Sequence, residues 1–214
     1  MLTEDGSHTL RVPDIDECYH STHGAVQESR HIFIDMGLKE FIPADEVRVL
    51  DIGFGTGLNA YLTLLEAEKN KMPVHYTTLE LYPLAVDEVL QLNYPEALGT
   101  DRGLFEALHR MPWGEDAGVS PFFTLYKVNV DFTKYKLSGL YDVIYFDAFS
   151  PEKQSDMWSE SGFRKIYEQS GKGAVITTYC AKGVVRRAMQ SAGFVMERLP
   201  GPPGKREILR GRKV

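Results

Sequence analysis

The sequence predicts an α/β domain with a doubly wound, mostly parallel sheet and a C-terminal antiparallel hairpin. Three observations carry that prediction. Short apolar runs alternate with stretches of helical spacing from residue 47 to residue 191, as in successive βαβ units. The first run leads directly into a glycine-rich turn, Asp51-Ile52-Gly53-Phe54-Gly55-Thr56-Gly57. The last two runs are separated by a Gly-Pro-Pro-Gly turn, too short for a crossover helix, so they must pair antiparallel.

Residues 1–40 read as an irregular N-terminal extension that ends in a helix over 26–38, with Val26, Ile32, Phe33 and Met36 on its apolar face. Residues 47–52 form a short apolar run stopped by glycines, which suits a strand buried on both faces. Leu58, Tyr61, Leu62 and Leu65 then recur at helical spacing. Residues 75–81 are the second strand, followed by a helix after Pro83, where a proline is tolerated. A short helix plus loop is expected over 99–121. Strands at 122–130 and 141–146 follow, then a helix at 162–169 and a strand at 174–179. A helix over 184–191 closes on Gly193, placed for a left-handed C-terminal cap. Strands at 194–199 and 206–209 make the hairpin. Five parallel strands with such a closing hairpin define a Rossmann-like methyltransferase fold; a dinucleotide-binding domain more often ends in another parallel strand.

The 214 residues show no internal repeat, low-complexity tract or linker, so one domain over 1–214 is expected. No apolar run is long enough to cross a bilayer, and the N-terminus lacks a basic stretch followed by an apolar one. Cys18 and Cys180 form no CxxC and read as free thiols. These features predict a cytoplasmic protein with no membrane association. The six histidines are scattered and form no compact Cys/His set, so no metal site is expected. A net charge of −6 argues against indiscriminate coating of nucleic acid, yet residues 204–213 are locally rich in Lys and Arg.

The glycine turn needs bare backbone because the turn is tight and a ligand must approach closely. Its run from Gly55 to Ala60 also satisfies G-x-G-x-x-A, so a dinucleotide is a rival to S-adenosylmethionine. Asp51 favours the latter, since a carboxylate there can receive an ammonium directly or through water but repels a pyrophosphate. Glu80, at the end of the second strand, can accept both ribose hydroxyls, and Asp131, after the third, can accept an adenine amino group. A solvated strand-end carboxylate and a turn aspartate are the plain alternatives for these two. Asp147 ends the fourth strand, where a carboxylate next to a sulfonium donor can hold an amine acceptor or serve as a structural acceptor.

Four segments occur in order: Asp51 through Asn59, Leu79-Glu80-Leu81-Tyr82-Pro83, Phe146-Asp147-Ala148-Phe149-Ser150-Pro151 and Asp156-Met157-Trp158. The tail Gly204-Lys205-Arg206-Glu207 follows, and Tyr19, Ser21, Gly24, Glu28 and Arg30 precede them. Together they resemble the methyltransferase domain of the MnmC family, which methylates 5-aminomethyluridine at the wobble position of tRNA. The resemblance implies S-adenosylmethionine as cofactor and the anticodon arm of a tRNA as partner. It implies a donor site at Asp51, Gly53, Phe54, Gly55, Thr56, Gly57, Asn59, Glu80, Leu81 and Asp131, with Asp147 as the catalytic residue. Tyr19, Phe149 and Trp158 are candidates for stacking on an everted base, although aromatics in such positions are more often core. Lys182, Arg186, Arg187, Lys205 and Arg206 are candidates for phosphate contacts. The chain has no room for the FAD oxidase domain fused in many relatives, so the stand-alone form is expected. It departs from the family at Gln154-Ser155, where relatives tend to have Asn-Pro. A methyltransferase for small amines, a nucleotide-binding oxidoreductase and a non-catalytic cofactor-binding module remain alternatives.

Overall fold

The computed structural model describes residues 1–41, 43 and 45–214. The chain begins with an arm carrying a two-stranded ribbon, β1 (Arg11–Val12) and β2 (Glu17–Cys18), and a short helix α1 (Ala25–Ser29). The alternating core then runs β3 (Val47–Ile52), α2 (Leu58–Asn70), β4 (Val74–Glu80), α3 (Val86–Val89), α4 (Tyr94–Leu98) and α5 (Arg102–Arg110). It continues through β5 (Asp116–Ser120), β6 (Phe123–Asn129), β7 (Tyr141–Phe146), α6 (Glu160–Glu168), β8 (Ser170–Thr178) and α7 (Gly183–Ala192). The hairpin β9 (Val195–Pro200) and β10 (Glu207–Arg212) ends it.

The main sheet has the order β5-β6-β4-β3-β7-β8-β10-β9. The five central strands from β6 to β8 are parallel, while β10 runs antiparallel to both β8 and β9. The expected doubly wound sheet with its terminal hairpin is therefore present, with β10 inserted inside β9. Alternation along the central strands feeds two apolar layers. Val49, Val143 and Tyr145 pack on the face covered by α2 and α5, with Phe33, Leu58, Tyr61 and Phe105. Their neighbours Leu50, Ile144 and Phe146 pack on the other face, with Phe163, Ile166, Val185 and Met189 of α6 and α7. Such two-sided burial is why these strands read as unbroken apolar runs.

Four expectations change in detail. The helix expected over 26–38 is α1 followed by a π-helical turn at Arg30–Asp35. The helix after Pro83 is a single turn, α3, and a new helix α4 starts at Tyr94 with Pro95 inside its first turn. The 99–121 stretch holds α5, capped by Asp101 through Gly103 N–H at 2.8 Å, and also an unforeseen edge strand, β5. No residue of β5 is buried, so no apolar run marked it; its pairing with β6 decides its conformation. Lastly, the arm is an ordered part of the molecule. Asp5 accepts from Gln27 N–H at 2.9 Å, and the Asn93 side chain clasps the arm through His8 N–H and Gly6 C=O.

Among the described residues no helix is long and apolar enough to cross a membrane.

Candidate active site

Strand order reverses between β3 and β7: the chain leaves β3 towards β4 on one side and later returns to β7 on the other. The carboxyl ends of two strands diverge there, opening a crevice where open α/β sheets bind ligands. A cleft of ≈ 1370 Å³ occupies this place, bounded by the β3–α2 turn, the ends of β4, β6, β7 and β8, and the N-terminal arm. Ligand pockets are commonly about 300–1,000 Å³, so this cleft has space for two reactants.

The glycine turn is shaped by its neighbours. Gly53 has φ +104°, and a Cβ on it would lie 2.9 Å from the backbone oxygen of Asp147. Gly55 has φ +49°, and its missing Cβ leaves room for the Tyr19 ring, 2.9 Å from that position. The turn is braced from beneath. Phe54 packs edge-on against Trp113, and the buried Lys127 ammonium lies 5.5 Å from its ring centre while donating to His109 C=O at 2.9 Å. Thr56 is buried and accepts from the Tyr94 hydroxyl at 3.1 Å.

Glu80 ties two loops together: Oε2 accepts from Gly55 N–H at 3.0 Å and Oε1 from Tyr82 N–H at 2.8 Å. Leu81 and Tyr82 stand exposed at the mouth of the cleft. Asp131 borders the same end but is engaged by Thr133, through both N–H and hydroxyl, and by Lys134 at 3.0 Å. These partners hold its carboxyl below the usual range.

Asp147 is half-buried in the cleft wall, and Oδ2 accepts from Asn59 Nδ2 at 2.8 Å. Burial pushes its pKa up to about 7; the Asn59 bond and Lys205 act against the rise, and Glu28 adds to it. The Asn59 Oδ1 atom is buried with no hydrogen-bond partner among the described residues, in a side chain that itself lines the cleft. That leaves an acceptor available to a ligand's N–H or O–H group.

Four of the candidate residues do not line the cleft: Asp51, Trp158, Arg206 and Gly57, whose φ of +73° turns its Cβ position towards His109 at 2.6 Å. Asp51 is fully buried, accepts from the Thr78 hydroxyl at 3.0 Å and lies outside the cleft lining. Burial and the neighbouring Asp147 raise its pKa well above the usual range, which weakens it as a direct receptor for an ammonium. Trp158 is 5% exposed, packs on Phe146 and Tyr179, and donates its indole N–H to Phe149 C=O at 2.8 Å. A ring enclosed in that way cannot stack on a base; it fixes the loop that carries Phe149.

Tyr19 and Phe149, by contrast, meet across the cleft with ring centroids 5.1 Å apart. Lys205 turns into the cleft, 3.3 Å from Glu28 Oε1 and 4.9 Å from the Tyr179 ring centre. Arg206 is exposed and outside it. Lys182 pairs with Glu152, and Arg186 donates to Gln190 at 3.2 Å.

The sequence reading missed Glu17 and Tyr179, and gave Glu28 no role. Glu17 accepts from Ser150 N–H at 3.2 Å and from its hydroxyl, tying the arm to the exit of β7. Nothing local announced it. Tyr179 follows β8 and donates to Ala148 C=O at 2.9 Å; its position just past a strand end was an available signal.

With this geometry in hand, comparison with known proteins is specific. A family model described as S-adenosyl-L-methionine-dependent methyltransferase matches residues 124–214. The tRNA 5-methylaminomethyl-2-thiouridine biosynthesis bifunctional protein MnmC of Cupriavidus metallidurans is 30% identical, over 97% of this chain and 33% of that protein. Over nearly its whole length the chain is similar to one part of the MnmC proteins. The corresponding protein of Pseudomonas fluorescens is 31% identical over 92% of this chain and 32% of its own length. The chain thus spans about a third of the curated relatives it matches. Among solved structures, MnmC2 from Aquifex aeolicus superposes with a TM-score of 0.81 at 24% identity, covering 99% of this chain and 68% of that one. Spermidine synthase from Thermotoga maritima gives a TM-score of 0.63 at 14% identity, over 97% of this chain and 69% of its own. The architecture is the α/β methyltransferase fold with a mainly parallel central sheet.

Proposed function

We propose that this protein transfers a methyl group from S-adenosylmethionine to the aminomethyl nitrogen of 5-aminomethyluridine at the tRNA wobble position, giving 5-methylaminomethyluridine. The observation that carries this reading is Asp147: a carboxylate titrating near neutrality, at the switch point of a methyltransferase fold, in a cleft with space for donor and acceptor. The MnmC relatives, named for the biosynthesis of tRNA 5-methylaminomethyl-2-thiouridine, support an aminomethyluridine of tRNA as the acceptor. A tRNA substrate places the protein in the cytoplasm.

The donor site fits the residues present. Gly53 and Gly55 give the turn its positive-φ shape and let the Asp147 backbone and the Tyr19 ring close on it, Glu80 offers a carboxylate, and Asn59 Oδ1 has no partner among the described residues. Phe54 and Thr56 hold the turn in place, and Asp131 and Leu81 border the outer end. S-adenosylmethionine, when bound, supplies an electrophilic methyl group. The protein's own task is then to present a neutral nitrogen. An alkyl amine titrating near 10 is almost wholly protonated at pH 7, and neutralising it costs roughly 4 kcal/mol. Asp147, oriented by Asn59, accepts the proton, and the surrounding desolvated wall favours the uncharged pair. Tyr19 and Phe149 supply aromatic faces for a nucleobase. Arg206, Arg187 and Lys182 are exposed cations outside the cleft, where anticodon-arm phosphates can be met; Lys205, turned inwards, is not among them.

Two measurements test the reading. Incubating aminomethyluridine-containing tRNA with the protein and labelled donor, followed by nucleoside mass spectrometry, should show one labelled methyl on that nucleoside. Donor binding without such transfer would redirect the activity to another amine. Glu80→Gln should weaken donor binding about 10- to 100-fold in calorimetry, the usual value of a hydrogen bond to a charged group. Unchanged affinity would remove Glu80 from the donor site.

A further inference from the structure

The cleft that holds Asp147 contains a second buried carboxylate. Glu28, on α1, is 8% exposed and lines the cleft. Its Oε2 accepts from Ser21 N–H at 2.7 Å, and its Oε1 lies 3.3 Å from the Lys205 ammonium. Lys205 comes from the turn between β9 and β10 and sits over the Tyr179 ring, 4.9 Å from its centre. Tyr179 in turn bonds the carbonyl of Ala148, next to Asp147. Three segments remote in sequence thus fix the position of one carboxylate in the cleft whose wall carries the other.

We propose that Glu28 and Asp147 form an unequal carboxylate pair: Glu28 is the fixed anion, held by Lys205 and the Ser21 N–H, and Asp147 is the member that exchanges a proton with the acceptor nitrogen. Glu28 is then a positioning residue that acts through Asp147, and Lys205 is the counter-charge that moderates it. This rests on the methyltransferase reading above. The other groups facing Asp147 cannot take the role. Asn59 on α2 is uncharged. Tyr76 on β4 and Tyr179 beyond β8 are held in their neutral forms by burial, and burial raises the pKa of Asp51 on β3, which lies outside the cleft lining. Unequal pairs of this kind divide labour because two nearby carboxylates do not ionise equally well. Glu28 strengthens Asp147 as a base, and Lys205 opposes it.

The test is a pair of charge changes with opposite signs. The Asp147 carboxyl is followed by carbon NMR in the unliganded protein, in parallel with the pH profile of methyl transfer to tRNA. Glu28→Gln keeps an acceptor for Ser21 N–H but removes the charge. Its Asp147 midpoint and the acidic limb of its rate profile should both fall, by about 0.5–1 unit. Lys205→Met should move both upward, and Glu28→Asp should restore part of the Glu28→Gln shift. Unmoved midpoints, or shifts of the same sign in both variants, would overturn the proposal. So would a moved midpoint with an unmoved rate limb. Absence of transfer by the wild-type protein would instead defeat the tRNA reading, and the NMR titration would still decide the carboxylate pair.

Discussion

Asp147→Asn should lower methyl transfer by about 100- to 10,000-fold while making the folded protein more stable at pH 8. Removing a positioned general base commonly costs that much in rate. Asparagine keeps the shape and can still accept from Asn59 Nδ2, so the loss reports proton transfer rather than collapse of the wall. The gain in stability follows from the same chemistry. The Asp147 pKa rises from 3.8 to about 7 on folding, so between those values the folded state binds a proton the unfolded chain does not. Stability is therefore present below pH 3.8 and lost as pH rises through the folded value, by at most about 4 kcal/mol. Asparagine never ionises and escapes this loss. Melting curves should coincide near pH 3.5 and separate in favour of the variant at pH 8. In the wild type, turnover should rise as pH passes through about 7, where the base becomes available. A variant with near-normal turnover across the pH range would remove Asp147 from the chemistry.

Gly53→Ala should abolish measurable donor binding and cost about 1–3 kcal/mol of stability. At φ +104° an L-residue is strained, and the atom facing the new Cβ at 2.9 Å is the backbone oxygen of Asp147. Backbone on a strand exit cannot swing aside as a side chain can. The substitution therefore pushes apart the ends of β3 and β7, the two strands whose separation makes the crevice. Gly99 is a suitable control: its φ is +63°, yet nothing lies within 4 Å of its Cβ position. Gly99→Ala should show a comparable or smaller loss of stability and retain donor binding in calorimetry. Equal loss of binding in both variants would mean that general destabilisation, not the crevice, is responsible.

The parts of the site legible from sequence were those that sit at strand ends. Gly53, Gly55, Glu80, Asp131 and Asp147 each follow an apolar run, and a parallel sheet brings the ends of such runs to one edge. The hairpin was legible because its turn leaves no residues for a crossover. The edge strand β5 was not, because none of its residues is buried and Asp116-Ala117-Gly118-Val119-Ser120 offers no apolar run.

Local pattern alone therefore determined the alternation of the central strands and helices, the closing hairpin and the carboxylates at the strand ends, since burial on both faces and tight turns impose themselves on neighbouring residues. The sheet order and its switch point came from the structure. Tertiary structure decided which way each side chain faces. It enclosed Asp51 in the sheet and Trp158 in the second apolar layer, and it brought Glu17 and Glu28 from the N-terminal arm into the lining of the cleft. Those placements depend on contacts between segments more than a hundred residues apart, such as Glu28 with Lys205 and Glu17 with Ser150, which no periodicity within either segment encodes.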